Sequence, residues 1–156
     1  MDFQKCFITG CYTGLLPKAP GTWGSIFGAI LAFLILQILP QSSLFLLAIL
    51  VTIVAIKEIN KYERKTNTHD DKKIVIDEIV GIWIAISILP SISIFWIVIA
   101  FFLFRFFDIT KISYIGKLEK NLKGAIAVMA DDILAGILSG LLTGIFYVIS
   151  KKFILI

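Results

Sequence analysis

Two aspartates stand side by side in Met129-Ala130-Asp131-Asp132-Ile133-Leu134-Ala135-Gly136 and open an apolar stretch that runs to Ile149. Three further carboxylates sit beside apolar segments: the pair Asp77-Glu78, and Asp108 three residues after Arg105. Adjacent carboxylates repel, so a cation between them or a shared proton is needed to hold them together. Hard oxygen donors of this kind suit magnesium, which keeps several waters and bridges to phosphate. Such an ion polarises a phosphoryl oxygen and orients water. Lys18, Arg105 and Lys111 are the cations flanking the same segments. Arg binds phosphate oxygens bidentately, whereas Lys acts as a point charge. The helix start at Gly21–Ser25 adds unsatisfied backbone N–H groups, which favour an anion. Each group also has an ordinary reading. Asp77 and Glu78 suit a solvated helix N-terminus, Asp108 suits a local pair with Arg105, and Lys18 and Lys111 suit basic loops beside a membrane.

The elements that must position these residues are apolar. Of the 156 residues, 58% are hydrophobic, and the mean hydropathy is +0.95, above soluble domains. Residues 6–16 are too short to span a bilayer and read as an interfacial or re-entrant segment. The turn Pro17-Lys18-Ala19-Pro20-Gly21-Thr22-Trp23-Gly24-Ser25 follows, with Thr22 or Ser25 able to cap the next helix. Five helices are expected, over about 25–39, 43–56, 74–89, 92–107 and 126–149. Pro40 and Pro90 mark the two short uncharged turns. A sixteen-residue helix is roughly 24 Å long, short of a ~30 Å hydrocarbon core. Asp132, Gly136, Gly140 and Gly144 recur every fourth residue, beside a second row of Asp131, Ala135, Ser139 and Thr143. Asp77, Gly81 and Ala85 form a third row. Small-residue rows let membrane helices approach closely.

Counting the helices places the charges. Helices one and two leave one face and return to it, helices three and four do the same, and helix five starts there, so the Pro17–Ser25 turn, Asp77-Glu78, Arg105–Asp108 and Asp131-Asp132 all fall at that face. All 11 acidic residues lie there, with every basic residue of the 15 except Lys151 and Lys152. The basic excess marks that face as cytoplasmic. The net charge of +4 then reflects basic loops and calls for no nucleic acid. The N-terminus lacks a signal-peptide layout, so no cleaved leader is expected. Cys6 and Cys11 match no metal or redox spacing, and His69 has no neighbouring ligand pattern.

The motifs together resemble the phosphatidylglycerophosphatase A family, membrane phosphatases that convert phosphatidylglycerophosphate to phosphatidylglycerol with magnesium. The resemblance rests on residues 17–25, on Ile74-Val75-Ile76-Asp77-Glu78-Ile79-Val80-Gly81, on Phe104-Arg105-Phe106-Phe107-Asp108 with Lys111, and on Val128-Met129-Ala130-Asp131-Asp132-Ile133-Leu134-Ala135-Gly136, in the family's order. Two positions depart from the family pattern. Gly124-Ala125-Ile126-Ala127 replaces a Gly-Gly-x-Gly run, and Ile112 replaces a proline; every acidic motif position is filled.

The expected fold is all-α: a polytopic membrane helix bundle of about five transmembrane helices with a short interfacial N-terminal segment, residues 1–156 forming a single integral-membrane phosphatase domain. The resemblance implies a lipid substrate, phosphatidylglycerophosphate, and a Mg2+ cofactor; the expected location is the bacterial cytoplasmic (inner) membrane, with the active site facing the cytoplasm by the basic excess at its end. The expected catalytic set is Asp77, Glu78, Asp108, Asp131 and Asp132, with Asp77, Glu78, Asp131 and Asp132 as metal ligands. Lys18, Arg105, Lys111, Thr22 and Ser25 are the expected phosphate-binding set. An ion-coupled transporter is the alternative, since intramembrane acids also mark ion pathways. No inverted repeat supports it, and the acids gather near one face rather than the midplane. A nucleotide-dependent alcohol phosphotransferase would need a spaced Asp-Gly/Ala-Arg pattern that the sequence lacks. Nothing in the sequence sets an oligomeric state.

Overall fold

The structure, a computed structural model, describes residues 3–68, 71–110 and 124–154. Those residues form helices α1 (Phe3–Ile8), α2 (Pro20–Leu36), α3 (Gln41–Thr66), α4 (Ile76–Ser87), α5 (Ile94–Thr110) and α6 (Ala125–Ile154), with a 3-10 turn at Thr13–Leu15. No strand occurs among them. His69 and Lys111 lie outside the described residues.

Helix α4 is the axis of the bundle. It packs against α2, α3, α5 and α6, and ten of its twelve residues are buried. Helix α4 itself supplies much of the large-residue core, including Ile79, Val80, Ile82 and Ile86. The buried positions of α2 are small, Gly24, Ser25, Gly28 and Ala32, and α6 buries Ala135, Ser139 and Thr143 and lays Gly136 and Gly140 on α4. Large apolar side chains also point outward, including Leu46, Leu50 and Ile53 on α3, Phe95, Val98 and Phe102 on α5, and Leu141, Ile145 and Val148 on α6. Such a continuous exposed apolar surface marks a membrane or protein contact.

The small-residue rows are where the axis meets its neighbours. A Cβ on Gly136 would run into the carbonyl oxygen of Gly81, and one on Gly140 would lie 2.8 Å from that of Ala85. Two rows of fourfold spacing therefore mesh, with Gly81 against Gly136 and Ala85 against Gly140. One turn earlier, the same register brings Asp77 alongside Asp132. Gly28 does the same work between α2 and α4. A Cβ there would sit 2.8 Å from Ile82, and its carbonyl accepts a hydrogen bond from Trp83 Nε1 at 2.9 Å.

Several boundaries differ from those expected. Helix α2 begins at Pro20, not near Ser25. Ala19 stands at its N-cap position in a left-handed conformation (φ 57) with no side-chain cap, and proline is tolerated at the first helical position because its missing N–H would be unpaired there. Thr22 and Ser25 are thus inside the helix, not at its cap. Helix α3 runs on through Lys57, Lys61 and Arg64 to Thr66, because straight-chain charged residues are good helix formers once clear of the apolar segment. Helix α6 likewise includes Lys151 and Lys152. Two of the described helices, α3 and α6, are long and apolar enough to cross a membrane, where five spans were expected. The twelve residues of α4 cover only about 18 Å.

At the end of the bundle remote from the aspartates, Gln41 Nε2 reaches the carbonyl oxygens of Ile86, Ser87 and Leu89 at 3.1, 3.0 and 2.7 Å. One amide thus ties the start of α3 to the orphan carbonyls at the end of α4.

Candidate active site

The ends of four helices surround a cavity of about 600 Å³. Its walls include Asp77 and Glu78 from the start of α4, Arg105 and Asp108 from the end of α5, and Asp131 and Asp132 from the first turns of α6. Pro20 and Gly21 of α2 close one side, and Asp71 and Lys72 of the turn before α4 line another part. A volume of this size accommodates a small-molecule headgroup, not just a single ion.

At its core, Asp77, Glu78 and Asp132 each offer an oxygen, and the three oxygens lie within 4.8 Å of one another. Asp77 and Asp132 are buried, and Glu78 is partly buried. Buried Asp77 Oδ1 and Glu78 Oε2 have no hydrogen-bond partner. Orphaned buried oxygens are expensive unless something compensates them. The all-oxygen donor set, the close spacing and the two unpartnered atoms fit a hard divalent cation. Gly21 preserves the space, since a Cβ there would meet the Glu78 carboxylate.

Arg105 sits above the carboxylates with its geometry set from two sides. Its Nη1 contacts Asp108 Oδ2 at 2.6 Å and donates to Ser25 Oγ at 3.3 Å. Ser25 in turn donates to the Gly21 carbonyl at 2.8 Å. The Nε of Arg105 is buried with no partner, a donor held ready for an anion's oxygen. Asp132 has Asp77, Asp108 and Arg105 as its charged neighbours, so the guanidinium and the triad belong to one electrostatic unit.

The ten expected site residues are distributed as follows. Asp77, Glu78, Asp108, Asp131, Asp132 and Arg105 share the cavity. Asp131 lines it outside the close triad. Ser25 is fully buried and faces Arg105, not the cavity. Thr22 is partly buried and does not line the cavity. Lys18 is exposed, in a left-handed conformation (φ 59), and does not line it either. Lys111 lies outside the described residues. Cys6 and Cys11 stay away from the cavity.

Two cavity residues had no motif to announce them. Asp71 and Lys72 lie in a polar run that reads as a loop, and only folding brings that turn over the cavity. The Asp71 carboxylate accepts from Tyr62 OH of α3 at 2.9 Å and from the Lys73 backbone N–H at 3.1 Å. A run of Asp and Lys directly before an acidic motif was the available signal.

The family model described as Phosphatidylglycerophosphatase A matches residues 6–147. A protein of Haemophilus influenzae named Phosphatidylglycerophosphatase A is 38% identical over 128 residues, 82% of this chain and 78% of the relative. One of Escherichia coli with the same name is 33% identical over 140 residues, 90% of this chain and 79% of the relative. A Bacteroides thetaiotaomicron protein named Putative phosphatidylinositol-3-phosphatase is 38% identical over 143 residues, 88% of this chain and 89% of the relative. No solved structure matches the chain. The chain belongs to the phosphatidylglycerophosphatase A family, a family of phosphatases.

Proposed function

We propose that this chain hydrolyses the terminal phosphomonoester of phosphatidylglycerophosphate, releasing phosphatidylglycerol and phosphate, with Mg2+ held by Asp77, Glu78 and Asp132. The observation that carries the proposal is the cavity itself: a carboxylate triad with unpartnered buried oxygens, and a guanidinium with an unpartnered Nε, at one end of a bundle with an apolar outer surface. Two relatives are named for this substrate. The bundle crosses the bacterial inner membrane, its five longer helices lying within the bilayer as one domain. The cavity faces the cytoplasm, because the Lys and Arg excess is at its end. The lipid tails rest against the outward apolar side chains, and the headgroup enters sideways. The transporter reading fits less well, since the acids sit at one end of the helices.

When bound, the ion supplies Lewis-acid polarisation of a phosphoryl oxygen. The chain's own groups do the rest. Arg105 binds a second phosphoryl oxygen through its Nε face and neutralises charge that grows as the bond to the leaving oxygen breaks. Ser25 and Asp108 fix its orientation. Water adds to phosphorus, the P–O bond to glycerol breaks, and the leaving alkoxide takes a proton. Asp131, a cavity carboxylate outside both the triad and the Arg105–Asp108 pair, accepts the proton of the attacking water and delivers it to the leaving alkoxide.

The test is phosphate release from phosphatidylglycerophosphate in detergent. Wild-type protein should turn over with magnesium and stop with a chelator. Asp77→Asn, Glu78→Gln and Asp132→Asn should each lower kcat/KM by at least about 100-fold, the scale of losing a major stabilising charge at a reacting centre. Full activity in those variants, or turnover in the presence of chelator, would refute the site. Phosphatidylinositol 3-phosphate, the substrate class in the Bacteroides relative's name, is the comparison; faster release from it would reassign the substrate while leaving the site in place.

A further inference from the structure

Among the described residues, the cavity has two cations, Arg105 and Lys72. Arg105 is committed to Asp108 and stands beside the carboxylate triad. Lys72 is exposed and lies in the turn that precedes α4. We propose that Lys72 is a specificity residue that binds the second, phosphodiester phosphate of the lipid headgroup, and so selects substrates carrying both a phosphodiester and a phosphomonoester. The inference rests on the lipid-phosphatase reading above.

The backbone of the turn is held in place. Both Asp71 oxygens accept hydrogen bonds, one from Tyr62 of α3 and one from the Lys73 N–H. The Ile74 N–H returns to the Asp71 carbonyl at 2.8 Å, and the Val75 N–H reaches the Ile8 carbonyl of α1 at 3.0 Å. Gly14 packs so closely on the Lys73 carbonyl that a Cβ would collide with it. Lys72 therefore projects from a turn pinned to α1, α3 and the 3-10 turn. A loop tied at so many points costs little further ordering when a ligand binds.

The chemistry of the headgroup supplies the rest. A phosphatidylglycerophosphate headgroup bears two phosphates joined by glycerol, and the phosphatidylinositol 3-phosphate headgroup likewise bears a diester and a monoester. The reacting monoester must sit at the triad and Arg105. The diester, attached to the lipid tails, then remains with no partner among those groups. An ammonium there supplies the counter-charge, since the diester carries one delocalised negative charge that a lysine meets as a point charge. Lys18, the basic residue that the motif suggested, does not line the cavity.

The experiment compares wild type, Lys72→Gln and Lys72→Arg, as full-length protein in mixed micelles with magnesium. The ligands are phosphatidylglycerophosphate and phosphatidic acid of the same chain length, which has the monoester alone. Phosphatidic acid is measured as a substrate or, where it is not cleaved, as a competitive inhibitor. Lys72→Gln should raise KM for phosphatidylglycerophosphate about fivefold to tenfold, the scale of one partly exposed charge-assisted contact. Its kcat should stay within about twofold, because an interaction lost equally from ground and transition states changes KM alone. Phosphatidic acid should be affected less than about twofold, and Lys72→Arg should recover most of the loss. An equal effect on both ligands, a loss confined to kcat, or no effect on phosphatidylglycerophosphate would overturn the assignment. Absence of phosphatidylglycerophosphate turnover by wild type would instead overturn the underlying substrate reading.

Discussion

Arg105 illustrates how one side chain is prepared by residues that never touch substrate. Its Nη1 is occupied by Asp108 and Ser25 while its buried Nε has no partner, so the guanidinium is clamped through one nitrogen and keeps a donor unused at another. Ser25 was expected to bind phosphate or cap a helix. Its position one turn inside α2, fully buried and bonded back to Gly21, makes it a positioning residue. Ser25→Ala should keep the fold and lower kcat/KM about threefold to tenfold, since one neutral-to-charged hydrogen bond is lost. Arg105→Lys should cost far more, because a lysine cannot reproduce two fixed directions at once. Phosphate-release kinetics on the two variants, with circular dichroism as the fold control, decide this; equal losses would show that Ser25 is not acting through Arg105.

Between elements, the contact of α4 with α6 governs both stability and the site. Gly81–Gly136 and Ala85–Gly140 set the register that puts Asp77 beside Asp132. Gly136→Ala places a methyl group on the Gly81 carbonyl, and overpacking of that kind costs about 1–3 kcal/mol. Activity should fall with stability, because pushing the helices apart widens the triad. Gly144 continues the same row but lies past the end of α4, where a Cβ would meet only Pro90 at 3.7 Å. Gly144→Ala should therefore be near neutral. Thermal unfolding in detergent checks the pair; a Gly144 variant as damaged as the Gly136 variant would show that the row as a whole, not the meshing, matters.

For the whole molecule, α4 carries a core of large apolar residues, the faces of α2 and α6 that approach it are small, and large apolar side chains cover the outside. That arrangement suits the proposed lipid environment, which exerts no hydrophobic pressure between helices, so that close backbone approach and van der Waals contact hold the bundle. The proposed orientation puts the cavity on the cytoplasmic side and residues 37–41 on the opposite side. A topology reporter fused at Gln41 should read as non-cytoplasmic, and one placed after Lys152 likewise. A cytoplasmic signal at Gln41 would invert the orientation and separate the cavity from a cytoplasmic substrate.

Much of the site was legible in the linear chain because its parts are local. Asp77-Glu78, Arg105–Asp108 and Asp131-Asp132 each occupy a few consecutive residues at a helix end, and fourfold spacing identified the rows of Gly81 and Gly136 before any contact was known. Helix parity then sufficed to bring those ends together. Helix lengths were less legible, since charged helix formers such as Lys57 and Lys61 continue α3 beyond its apolar part. So was the helix start at Pro20, which has no side-chain cap. The sequence by itself determined an all-helical apolar chain with its acids gathered at one end. Only the tertiary structure decided which oxygens converge within 4.8 Å, that Ser25 serves Arg105, and that Lys72 rather than Lys18 lines the cavity. The reason is physical: helix periodicity fixes direction along an element, but the approach of non-neighbouring elements depends on how glycines mesh and on hydrogen bonds such as Tyr62 to Asp71, which no single segment encodes.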